Sequence, residues 1–231
     1  QGRPSRETLM EFLQLPRRTP IANPEWLKTR RNAEIVEKPN ASLTPFRSPG
    51  DEEPLVSAYL QHFFAQEDSW ESFSPYLKAD YLRRLFAETK ILAGTGDMER
   101  WYSLIDDPAY YEALENRVEL NFPATQTTEF ATGASVALDV NAKNVKTLLV
   151  KVFEIDALTY SLAENKEVDA SIDLDGLVAG AETTYSYDAP SLRRIRRHFE
   201  FPELTEPGVY VIDFIGGGIS SRAVIRKGHL E

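Results

Sequence analysis

Acids, histidines, glycines and one basic run are the residues of this chain whose types invite a search for chemistry. The three histidines, His62, His198 and His229, stand far apart, and no His-Glu-x-x-His or paired-His spacing occurs. Zinc hydrolysis therefore lacks its ligands. No Gly-x-Ser-x-Gly elbow offers a serine nucleophile. Cysteine is absent, which removes thiolate nucleophiles, disulfides and Cys-ligated metal together. Carboxylates are abundant, 36 in all, so a pair of them selects nothing. Asp169, Asp173, Asp175 and Gly176 faintly resemble a calcium loop, but oxygen ligands are missing at the spacing an EF-hand needs. The pattern reads instead as a solvated strand face followed by a turn. No metal and no cofactor are expected.

Two glycine clusters remain. Gly94-Thr95-Gly96-Asp97 lies between helical patterns and lacks a preceding strand, so it reads as helix punctuation. Gly216-Gly217-Gly218 raises a sharper question, because a phosphate loop needs a strand before it and a helix after it. The next residues are Ile-Ser-Ser-Arg-Ala-Val-Ile-Arg, with Arg222, Val224 and Arg226 alternating. That is a strand, so the glycines read as a hairpin turn. The basic run Arg193-Arg194-Ile195-Arg196-Arg197-His198-Phe199 carries two readings. Arg193, Arg194, Arg196 and Arg197 could bind an acidic partner, or they could guard an edge strand against aggregation. Asn40-Ala41-Ser42 is a glycosylation sequon, meaningful only in a secretory pathway.

The elements that must position these residues fall into three zones. Residues 1–53 hold prolines at 16, 20, 24, 39, 45 and 49 and read as a Pro/Arg-rich arm or linker with one short helix over Arg6–Leu15. Residues 54–116 read as a small helical unit. Helices are expected from Pro54, over Pro75–Ala93, after Asp97 and from Asp107-Pro108 through Asn116. From residue 117 to 231 the apolar period changes to two. About eight short strands follow, among them Val168–Leu174, with no helical pattern between them. The fold class is α+β by content: an antiparallel β-sandwich, preceded by the helical unit and the arm.

Charge narrows the partners. Net charge is −10. Residues 1–50 carry nine Lys and Arg against five acids, while residues 51–231 carry 17 against 31. An acidic body disfavours nucleic acid and anionic lipid. No apolar run approaches the roughly 18–20 residues that cross a bilayer, so no direct membrane insertion is expected. The start at Gln1 suggests a chain processed or excised from something longer.

Residues 134–228 carry a family likeness. "ASVALDVNAKNVKTLLVKVFEID", "IDLDGLVAG" and "RRHFEFPELTEPGVYVIDFIGGGISSRAVIRKG" together resemble a macroglobulin domain of the bacterial-type alpha-2-macroglobulin family. The resemblance implies a fibronectin III- or macroglobulin-like sandwich that serves as spacer and docking surface in a larger envelope or secreted protein, partnered by other domains of that chain. Without cysteine it cannot carry that family's thioester. The expected role is a non-enzymatic structural or interaction module in an extracellular or cell-envelope setting; a cytoplasmic setting stays open. Two rivals stand beside it. A sugar-binding or adhesive sandwich needs an exposed aromatic row, with Tyr160, Tyr185, Tyr187 and Phe130 as members. An enzyme would need a site between helices and sandwich, with Asp106, Asp107 and Glu112 as its acids.

Overall fold

The computed structural model describes residues 4–15, 19–29, 51–123 and 125–228, and Asn40 and His229 lie outside them. The chain divides into two compact units between Tyr111 and Glu112.

The first unit is helical. Its helices are α1 (Arg6–Leu13), α2 (Pro24–Leu27), α3 (Glu53–Phe64), α4 (Ala79–Ala93) and α5 (Met98–Leu104), and α6 (Pro108–Asn116) carries the chain across the division. Four of them, α1, α2, α5 and α6, start on a capping side chain. Ser5 accepts from Thr8 N, Asn23 from Glu25 N, Asp97 from Arg100 N, and Asp107 from Ala109 N and Tyr110 N. Gly94, at φ 70°, ends α4 in the left-handed conformation that glycine tolerates. Trp101 Nε1 then donates to Thr95 O at 2.8 Å. The Gly-Thr-Gly-Asp stretch is helix punctuation, as its spacing predicts. Phe64, Phe73, Phe86 and Trp101 form the aromatic centre, edge to face at 5.1–5.7 Å. The stretch around Ala22 bridges Leu77, and Lys78 N donates to Ile21 O.

The second unit is a sandwich of two sheets. Its strands are β1 (Glu119–Asn121), β2 (Glu129–Phe130), β3 (Val136–Lys143), β4 (Thr147–Ile155), β5 (Ala181–Ser186), β6 (Ile195–Phe201), β7 (Gly208–Gly216) and β8 (Ile219–Lys227). One sheet runs β1-β3-β6 and the other β2-β8-β7-β4-β5. All pairs are antiparallel except β2 with β8, which is parallel. Inward side chains alternate along the strands. Leu138, Val140, Leu148, Val150, Phe199, Phe201, Ile212, Phe214 and Ile225 fill the space between the sheets. Tyr210, near the start of β7, is buried and donates from its hydroxyl to Glu206 O at 2.9 Å. Such a tyrosine corner, with this strand order, marks an immunoglobulin-type sandwich. In antibody domains a half-cystine stands two residues after this tyrosine. Here that place is Ile212, fully buried. The corner bond gives a first prediction: Tyr210→Phe will destabilise the sandwich by about 1 kcal/mol. Urea unfolding read by far-ultraviolet circular dichroism checks it, and an unchanged midpoint for the sandwich transition would refute it.

The expected sandwich and leading helices are therefore present, with corrections: α2 is a second helix in the stretch read as an arm, and β2 is a strand the spacing does not predict. Val168–Leu174 is not a strand, and the sandwich has a helix, α7 (Ala157–Glu164), within it. Only Val168 and Ile172 of that alternation are buried; Ala170 is exposed. They pack with Phe153, Ile155, Val209, Val211 and Val224 on the outer face of the larger sheet. Arg222 and Arg226, on that same face, donate to the carbonyls of Ile172 at 2.8 Å and Val168 at 3.0 Å. Residues 156–180 thus fold back as a cover, held by two arginines. With apolar neighbours on both faces, β7 is apolar but for one charged residue, buried Asp213, which pairs with Arg222 Nε at 3.2 Å.

The β7–β8 connection is a tight hairpin. Gly217 and Gly218 have φ of 60° and 81°, the pair of positive values that a type I′ turn requires. A Cβ on Gly216 would stand 2.6 Å from Val145 Cγ1 and 2.8 Å from Thr147 O. Close packing as well as turn geometry therefore demands glycine.

Candidate functional site

The β3–β4 turn, the β5–β6 connection and the β7–β8 hairpin meet at one end of the sandwich. They enclose an open cavity of about 690 Å³, whose lining includes Glu115, Lys146, Tyr187, Asp188, Ser191 and Arg197. The β3–β4 turn is fixed first. Lys143, almost fully buried, donates from Nζ to Glu115 O at 3.0 Å and Arg117 O at 2.8 Å. Asn144 donates to the same two carbonyls at 2.7 and 2.9 Å. A lysine and an asparagine thus satisfy the carbonyls at the C-terminal end of α6. Burial pushes the Lys143 ammonium below its ordinary pKa, with the Arg117 and Arg194 charges adding to the fall.

The basic run leads into strand β6 and fills its first part, where alternation sorts it. Arg196, His198 and Glu200 face outward from the smaller sheet. Arg197 shares the inward side with Phe199 but lies at the open end, its guanidinium 4.1 Å from the centre of the Tyr187 ring. Arg194, just before the strand, pairs with Glu119, which also binds Arg117 at 2.6 Å. Arg193 is half-buried beside it, and its N–H donates to Pro190 O. Arg196 is exposed, with Nε 3.5 Å from Asn141 Oδ1. His198 Nδ1 lies 2.8 Å from Asp139 Oδ1, and that contact raises the imidazole pKa. The four arginines thus have different surroundings, and Arg196 is the most open to solvent.

The aromatic set does not form one row. Tyr185 and Tyr187 stack parallel at 6.3 Å, and Tyr185 meets Phe199 edge to face. Tyr160 packs with the cover on the outer face, and Phe130 stands on β2, at the opposite edge of the sheet from β5. Asp106, Asp107 and Glu112 are exposed, and the Asp107 carboxylate is occupied in capping α6. Asp169 and Asp173 accept from the backbone N–H groups of Ser171 and Asp175, as turn residues do. Among the described residues no cluster of three or more acids and histidines is placed to hold a metal. No helix of the described residues is long and apolar enough to cross a membrane.

The cavity can do limited chemistry. Glu115 and Asp188 balance Lys146 and Arg197 along its wall. The Ser191 hydroxyl faces Glu115 Oε1 at 3.4 Å, and no histidine lines the site to activate it. Such a wall suits hydrogen bonding to a polar segment rather than bond breaking.

Comparison with known proteins assigns the chain. The family model for the actin-binding protein F N-terminal domain matches residues 1–118. The chain belongs to the actin-binding protein F family. A second family model, the AbpF first immunoglobulin-like domain, matches residues 148–228. Actin-binding protein F of Dictyostelium discoideum is 36% identical over 226 residues. That match covers 96% of this chain and 9% of the relative's length. No solved structure matches the chain.

Membership of the actin-binding protein F family overturns the macroglobulin likeness over 134–228. The quoted residues encode a hairpin and a sandwich core, and unrelated sandwiches share both. The extracellular or cell-envelope setting, and the secreted role, rested on that likeness and are corrected with it. The relative's name is that of a binder of actin.

Proposed function

We propose that this chain is a non-enzymatic interaction module of a longer cytoplasmic polypeptide and that it engages actin. The observation that carries the proposal is the family match over the helical unit, with 36% identity extending through the sandwich. Within the sandwich the proposed contact is the basic run Arg193, Arg194, Arg196 and Arg197, with exposed Arg196 foremost. Actin filaments are polyanionic, and an acidic chain needs a local basic face to approach them.

Co-sedimentation with filamentous actin tests the reading. The chain is expected to pellet with filaments, less so as salt rises. Arg196→Glu is expected to weaken binding about fivefold, equivalent to about 1 kcal/mol for an exposed ion pair. A chain that stays in the supernatant at every salt concentration would sink the proposal. Binding that Arg196→Glu leaves unchanged would remove the basic run from the contact.

A further inference from the structure

The cover on the larger sheet buries one apolar face and exposes another. Its helix α7 runs from an Asp156 cap to Asn165, which has φ 52°, and buries none of its own residues. Ala157 and Tyr160 rest partly on the outer cluster. Leu158 and Leu162, four residues apart on the other face, are 71% and 78% exposed. Leu177 and Val178, later in the same insertion, are also exposed. Four of the eight large apolar side chains that stand exposed among the described residues therefore fall within residues 157–178. Scattered exposed leucines need no explanation, whereas this concentration does. An eight-residue helix with no buried residue also gains little stability of its own.

Strand register locates this face. Ile155, at the end of β4, pairs with Val209, and Val209 pairs with Arg226 near the end of β8. Gly228 N then donates to Phe130 O as the chain leaves the sheet. So α7 begins two strand spacings, about 10 Å, from the strand by which the chain departs. The family's domain order supplies a neighbour on that side. The family model over 148–228 describes a first immunoglobulin-like domain, and the chain covers 9% of its relative's length.

We propose that Leu158, Leu162, Leu177 and Val178 form the docking surface for the immunoglobulin-type unit that comes next in the family's order. A unit tethered at the end of β8 is held near α7 at millimolar effective concentration, so a small apolar contact suffices. The proposal stands apart from actin binding and survives if that reading fails.

Hydrogen exchange read by mass spectrometry on the natural longer polypeptide and on the 231-residue chain tests it. In the longer polypeptide the amides of α7 are expected to exchange at least about tenfold more slowly. Leu158→Glu with Leu162→Glu should abolish that protection while the β7–β8 amides stay as slow as before. Unchanged β7–β8 exchange shows that the variant has folded. Equal α7 exchange in both chains would overturn the proposal. So would protection that rises with concentration in the 231-residue chain, which means a second copy, or protection that appears only with actin filaments.

Discussion

Replacing Phe214 by alanine will cost the sandwich about 3–5 kcal/mol. The side chain is fully buried on β7, with the rings of Phe199 at 5.1 Å, Phe122 at 5.6 Å and Phe201 at 6.4 Å meeting it edge to face. Phe199 and Phe201 stand on β6 and Phe122 just after β1, so no ring can collapse into the void without moving its own element. Domains of this size have a stability of about 5–15 kcal/mol, so the loss is a large fraction of the whole. The two units need separate probes. Trp26, Trp70 and Trp101 all precede residue 112, so tryptophan emission follows the helical unit. Exchange of the β7 amides follows the sandwich. The expected result is much faster β7 exchange with an unchanged tryptophan transition. A loss below about 1 kcal/mol would show that Phe214 is not the centre of the core.

The second large effect is electrostatic. Glu119 is 6% exposed and sits between Arg194, 19% exposed, and Arg117, 38% exposed. Burial pushes its carboxyl up. The hydrogen bond and charge of Arg194, and then those of Arg117, outweigh burial and hold the pKa below the ordinary glutamate value. A carboxylate whose folded pKa is depressed stabilises the fold above its unfolded pKa, about 4.3. That contribution is lost as pH falls through the lower folded value. Acidification below about pH 4.3 should therefore weaken the sandwich, and Glu119→Gln should remove part of that dependence. At neutral pH the same substitution leaves Arg194 without its carboxylate and should cost up to about 3 kcal/mol, the exposure of Arg117 keeping the figure at the low end for a broken buried pair. Urea midpoints of both proteins across the acidic range measure this. Parallel curves for wild type and Glu119→Gln would refute it.

The legible parts of the chain were those that local chemistry decides. Asp97, Asp107-Pro108 and Gly94 punctuate helices through their own backbone contacts, and those boundaries are readable in sequence. The Gly217-Gly218 hairpin is equally local. The failures are tertiary. Val168, Ala170, Ile172 and Leu174 have the period of a strand, yet the arginines that claim the carbonyls of 168 and 172 lie fifty or more residues away. The alternation of Arg222, Val224 and Arg226 beside a β7 whose one charged residue is Asp213 was the available sign of a second covered face. Strand β2 has two residues, too few for any period to appear. The basic run was visible at once, but not that Arg194 reaches Glu119, 75 residues earlier. The cavity wall gathers residues from 115 to 217, and no local pattern announces it. The mistaken family likeness has the same origin, because strand and hairpin patterns record packing, and many sandwiches pack alike.

The short parallel pairing of β2 with β8 has a mechanical meaning. Tension applied through the two chain ends pulls parallel neighbours in opposite senses. The bonds Arg226 N to Thr128 O and Gly228 N to Phe130 O are then loaded together in shear. The β1–β3 pairing shares that load from the entering end. Beyond this clasp there is no covalent brake, for the chain has no cysteine and the place of an inter-sheet crosslink is held by Ile212. Once the clasp slips, residues 112–228 can unravel to an extension on the order of 40 nm. A sandwich clasped in this way should resist low load and lengthen once the clasp yields.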